Sequence, residues 1–137
     1  MLFWKADKTT VSREEFDERL GEIMQQDKWI IDGNYGRTLE LRLKECDTVF
    51  FFDLPTVTCL AGISKRVLSY YGKTREDMGG NCVERFDSQK VDLYRNVITF
   101  NKQHRKDYYD LLSKESHAKV IIFHNRQEAD KFLTDVK

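Results

Sequence analysis

Asp32 and Arg37 are the side chains whose types and spacing could handle phosphate. They lie in Trp29-Ile-Ile-Asp-Gly-Asn-Tyr-Gly-Arg-Thr38, where a short apolar run stops at Asp32-Gly33 and an arginine follows. A carboxylate at a strand tip can organise Mg²⁺, directly or through water, because Mg²⁺ takes one or two carboxylates and keeps several waters. Gly33 allows a sharp turn or the close approach of a ligand to the backbone. Arg37 carries a guanidinium suited to bidentate binding of a phosphate. Each residue also has a plainer reading: Asp-Gly is a common turn dipeptide, and Arg37 could pair with Glu40 or Glu45. Arg66, Arg75 and Arg85 flank and occupy a glycine-bearing loop. Phosphoryl transfer rests on positioning and charge neutralisation, which arginines on a mobile cover supply. Taken singly, each is equally an exposed surface arginine. Asp53 reads better as structural. Cys82 and the three histidines (His104, His117 and His124) have no partner at ligand spacing.

The elements that must position these residues follow from periodicity. Ser12-Arg-Glu-Glu15 is a capping box, and Phe16, Leu20, Ile23 and Met24 recur at helical spacing, which predicts a helix over about 12–27. Trp29-Ile-Ile31 predicts a buried strand ending at Asp32. Leu39, Leu43 and Cys46 mark a short helix. Thr48 to Leu54 is a continuous β-branched and aromatic run, expected of a parallel strand buried on both faces. Pro55 closes it and opens a helix over about 56–70. Residues 71–87 read as an irregular loop. A long helix is expected over about 88–115, a last strand at Val120-Ile-Ile-Phe123, and a final helix capped by Asn125 with Glu128. Strands alternating with helices predict an α/β fold with a parallel sheet flanked by helices.

At 137 residues the chain suits one domain, spanning 1–137 with a lid-like insertion at about 71–87. Its 40% hydrophobic and 34% charged content fits a globular protein rather than a disordered or membrane-embedded one. The N-terminus lacks a signal-peptide layout, and three unclustered cysteines indicate neither a disulfide framework nor a zinc site. A reducing cytoplasm is expected. Net charge is zero, yet residues 62–106 hold ten lysines or arginines against five acidic residues. Such a region is either a solvated face or a basic surface for polyanions. With Tyr70, Tyr71 and Tyr94 nearby, it is the basis of an alternative reading as a nucleic-acid-binding or regulatory protein.

Ile30 to Thr38 resembles the D-G-F-P-R-T segment of the adenylate kinase superfamily of P-loop nucleotide kinases, with one residue inserted before the arginine. Cys46 to Pro55 resembles the strand that follows. Gly72-Lys-Thr-Arg-Glu-Asp-Met-Gly-Gly-Asn-Cys-Val-Glu-Arg85 is similar to the lid of the small kinases labelled "DNA topology modulation protein". The resemblance spans the chain and implies a three-layer α/β/α kinase-like fold. It implies ATP and Mg²⁺ as cofactors and a small-molecule or nucleotide acceptor. Asp32 would sit near Mg²⁺ or the acceptor, Gly33 and Arg37 would bind the acceptor, and Arg66, Arg75 and Arg85 would approach the donor phosphates. Asn125 and Arg126 would lie beside the donor base.

The sequence departs from that family in two respects. It contains no G-x-x-x-x-G-K-[ST] loop, so the first βαβ unit is expected to be missing. Gly62 stands where such kinases usually carry an arginine. The expected function is therefore the core and lid portion of an ATP-dependent phosphotransferase, inactive alone. In the family the absent strand lies between those represented by 29–34 and 48–54. Its absence predicts a rearranged three-stranded sheet, self-association through the exposed sheet, or completion by another chain.

Overall fold

The computed structural model describes residues 10–73, 83, 88–114 and 117–136. Among these residues, the elements run in the order α1 (Arg13–Met24), α2 (Gly36–Glu45), β1 (Thr48–Phe52), α3 (Thr56–Tyr70), α4 (Ser88–Gln103), α5 (Arg105–Lys114), β2 (Lys119–Phe123) and α6 (Arg126–Asp135). The fold is α/β. β1 and β2 form a two-stranded parallel sheet in the register Thr48↔Lys119 to Phe52↔Phe123. Antiparallel neighbours can be joined by a tight hairpin, but a parallel pair needs a long crossover. Here α3, α4 and α5 lie in that crossover.

The helix starts follow the local chemistry anticipated from the sequence. Ser12 Oγ accepts the Glu15 amide at 3.1 Å, so the capping box forms at α1. At α6, Asn125 Oδ1 accepts the Glu128 amide at 3.0 Å, and the Glu128 carboxylate reaches back to the His124 amide at 2.7 Å. Phe16 and Leu20 on α1 bury with Val11, and Met24, Ile31 and Tyr35 pack against them. Aromatic contacts clothe both faces of β1. Phe50 meets Phe123 and Phe132 of α6, with ring centroids 6.1 and 5.4 Å apart. Phe51, pointing to the other face, stacks on Tyr108 and meets Tyr109 edge-on. Side-chain alternation along a strand produces this division.

Two expectations about elements are corrected. Trp29-Ile-Ile31 is not a strand: the segment has no regular structure, and Ile30 is 96% exposed. A strand exists only by pairing, and a cavity rather than a neighbouring strand lies between this segment and β1. Among the described residues the sheet therefore has two strands, and the segments 29–34 and 48–54 have not closed on each other. The single helix expected over 88–115 is two helices meeting at His104. The turn is a bend rather than a break, since the His104 amide still bonds to Phe100 O at 2.8 Å and the Tyr108 amide to His104 O at 3.0 Å.

Large apolar side chains such as Val57, Leu68 and Ile98 are more than half exposed. Among the described residues, the apolar packing around the sheet is therefore incomplete.

Candidate functional site

The Asp32–Tyr35 turn is held in an unusual backbone conformation. Gly33 has φ +115°, and a Cβ placed there would lie 2.5 Å from Cε2 of the Tyr35 ring. Only glycine fits both conditions. Tyr35 itself has φ 24° and ψ 63°, a region a non-glycine residue rarely occupies. Such strain persists only where surrounding contacts over-determine it. Here the contacts come chiefly from Arg42, one face of α2 further along the chain. Arg42 is 7% exposed; its Nη1 donates to Gly33 O at 2.9 Å, and its Nη2 to Asn34 O at 2.8 Å and Tyr35 O at 3.3 Å. The Tyr35 ring lies against Arg42 and packs on Phe16 at 5.1 Å. Burial lowers the Arg42 pKa from its ordinary value, as expected of a cation removed from water. Arg42 has no carboxylate partner among the described residues, and its buried Nε has no hydrogen-bond partner there. The backbone carbonyls of the turn are its counter-dipoles.

This turn borders a cavity of about 830 Å³. One side is residues 29–34, the other is β1 with Asp53 and Leu54, and α2, α4 and α5 contribute apolar side chains. A second hollow of about 590 Å³ lies where Asn34 and Gly36 face Asn96, His104 and Asp107. The turn thus sits at the meeting point of both, as expected of a binding loop on an α/β scaffold.

At the C-terminal end of β1, Asp53 is the hub of a second polar cluster. Its carboxylate accepts Arg105 Nε at 2.9 Å, Arg105 Nη2 at 2.7 Å and the Tyr109 hydroxyl at 2.7 Å. His124 Nδ1, just past β2, lies 3.5 Å from it. The Arg105 hydrogen bonds hold the Asp53 carboxyl below its usual range, and the bond to Asp53 raises the Tyr109 pKa. The cluster fastens α5 to the sheet, so Asp53 takes a structural part.

Of the residues singled out in the sequence, Asp32 and Gly33 line the larger cavity. Arg37 does not. Its two Nη atoms bond bidentately to Asp17 on α1 at 2.8 and 2.6 Å, rather than to Glu40 or Glu45. That pairing lowers the Asp17 pKa and raises that of Arg37. Arg66, on α3, is half-buried and its Nε has no hydrogen-bond partner among the described residues. Asn125 is engaged in capping α6. Arg126 Nη2 lies 3.3 Å from where a Cβ of Gly62 would stand. None of Arg37, Arg66, Asn125 or Arg126 lines that cavity. Arg75, Arg85 and Cys82 lie outside the described residues. Within the basic 62–106 region, Arg95, Arg105 and Lys106 are ion-paired with Asp92, Asp53 and Asp110. The sequence reading missed Arg42; its signal was an arginine at a core-facing position of a helix, beside Leu39 and Leu43.

Among the described residues no three histidine, cysteine, aspartate or glutamate side chains converge on a point that could hold a metal, and no helix is long and apolar enough to cross a membrane. The chain was compared with protein-family models, curated proteins and solved structures, and none matches.

Proposed function

We propose that the chain supplies the acceptor side of a nucleotide-kinase-like phosphotransferase cleft. The observation that supports this most is the Asp32–Tyr35 turn, strained at Gly33 and Tyr35 and braced by the buried Arg42 at the edge of a cavity. A turn kept in a costly conformation by a dedicated cation is pre-organised for a ligand. Asp32 lies in that wall and offers one carboxylate toward a hydrated Mg²⁺. Arg37 follows at the start of α2, where the helix N-terminus also favours an anion.

ATP does not fit this chain equally well. The sequence has no glycine-rich phosphate loop, so the triphosphate lacks its backbone cradle and lysine. No step of phosphoryl transfer is therefore assigned to these residues. The acceptor is a small phosphorylated molecule, a nucleoside monophosphate being the first to test.

Asp17 occupies the Arg37 fork at present, so a phosphate must displace it. Calorimetric titration with AMP, CMP, GMP and UMP tests the reading. Binding of at least one, weakened about tenfold or more by Arg37→Ala and strengthened by Asp17→Asn, is expected, the loss reflecting a charge-assisted bidentate contact. Failure of all four to bind, or binding indifferent to Arg37, would overturn it. Mixing with Mg·ATP should give no measurable phosphoryl transfer.

A further inference from the structure

α4 and α5 turn a mixed face toward the Asn34–Gly36 turn. Asn96, Phe100, Gln103 and Asp107 recur at intervals of four, three and four residues, which places them on one side of a helix. The bend at His104 does not break that stripe. The bonds from the His104 amide to Phe100 O and from the Tyr108 amide to His104 O carry the helical path through it. A helix face turned toward another segment is ordinarily apolar. This one offers two carboxamides, a ring and a carboxylate, and with Asn34 and Gly36 it lines the hollow of about 590 Å³.

The chemistry of that lining is selective. Phe100 packs against His104 and Tyr108, with ring centroids 5.5 and 5.4 Å apart, so aromatic surface adjoins the polar groups and suits a planar ligand. Asn34 is fixed through its backbone, where Arg42 Nη2 donates to its carbonyl oxygen at 2.8 Å. Among the described residues no lysine or arginine lines the hollow, and Asp107 is its one carboxylate. Lys106, the adjacent cation, is paired with Asp110 instead. A phosphate is therefore disfavoured in the hollow, and a neutral ring bearing N–H donors is favoured.

Carboxamides both donate and accept, so Asn34, Asn96 and Gln103 suit any nucleobase. An ionised carboxylate only accepts, and its two oxygens match two adjacent N–H groups. Guanine has such a pair, its ring N–H beside its amino group. In adenine and cytosine an acceptor nitrogen lies beside the amino group, and in uracil the N–H lies between two carbonyls. Each of those sets a lone pair against the carboxylate. We propose that the hollow is a guanine-selective nucleoside site, with Asp107 on the N–H and amino edge and the ring against Phe100. The assignment deepens the cleft reading above and rests on it for the place of a phosphate at Arg37; the ring site itself needs no phosphate.

Calorimetric titration with guanosine, adenosine, cytidine and uridine, which carry no phosphate, tests the ring site apart from the phosphate site. Guanosine should bind about tenfold or more tightly than the other three, and Asp107→Asn should remove that preference without weakening adenosine. In NMR spectra of the parent protein, the side-chain amide signals of Asn34, Asn96 and Gln103 should move as guanosine is added. Equal affinity for all four nucleosides, which means stacking on apolar surface alone, would overturn the proposal. So would a guanosine preference that survives Asp107→Asn, or the absence of guanosine-dependent shifts at those three side chains, which decides the matter even if the variant unfolds. Selective guanosine binding with GMP no tighter would keep the ring site and remove the phosphate from Arg37. GMP and AMP binding equally through Arg37 would keep the cleft reading and remove the guanine site.

Discussion

At the scale of single residues, Arg42 and Asp53 are both buried charges with unequal solutions. Asp53 is met by Arg105 and Tyr109, whereas Arg42 is met by backbone carbonyls alone. Arg42→Met should therefore free the turn and destabilise the protein by about 1–3 kcal/mol, the cost of orphaning hydrogen-bonded groups. Urea unfolding measures this, and loss of Tyr35–Phe16 contacts by NMR would accompany it. Asp53 gives a pH dependence of definite sign. Its folded pKa lies below the ordinary 3.8, so its contribution is complete well above that value and drains away as pH falls through the folded pKa. Asp53→Asn should cost about 1–3 kcal/mol at pH 7, and the gap from the parent should narrow as pH falls below 3.8; a gap that widens with acid would contradict this. Asp32-Gly33 was legible in the sequence because only glycine serves such a turn. Arg42 was missed: its core-facing place beside Leu39 and Leu43 marks it as inward-pointing, but the carbonyl groups it meets, some eight residues earlier, are a tertiary fact.

At the scale of elements, helices proved easier to read than strands. Capping chemistry is local, so Ser12 and Asn125 announced α1 and α6 directly. Trp29-Ile-Ile31 carries the composition of a strand but lacks a neighbour to pair with, and that neighbour is a tertiary fact. The bend at His104 has the same origin: no glycine or proline marks it, and Asp53 draws Arg105 and Tyr109 from a distant part of the chain. Gly62 sits inside α3, where the atom a new Cβ would meet is the tip of the flexible Arg126 side chain. Gly62→Ala should thus raise stability by up to about 1 kcal/mol, the difference in helix propensity. Chemical denaturation checks it, and a loss of stability would show that Arg126 is more tightly held than its position implies.

At the scale of the molecule, the two-stranded sheet and the exposed large apolar side chains belong together among the described residues. α1 and the 29–35 segment form one apolar cluster, the sheet with α5 and α6 another, and a cavity lies between residues 29–34 and β1. The urea dependence of unfolding scales with surface newly exposed, so its slope should fall below that of compact proteins of this length. The alternation of α and β elements was legible because period and capping survive in the sequence. The pairing of β1 along one edge was not legible, since no local signal records which neighbours a strand will find. The most direct measurement is amide exchange of the isolated protein at β1. Val49 and Phe51 should be protected, and Thr48, Phe50 and Phe52 should exchange fast, a two-residue alternation along one strand. Uniform protection from Thr48 to Phe52 would contradict a β1 paired along one edge only.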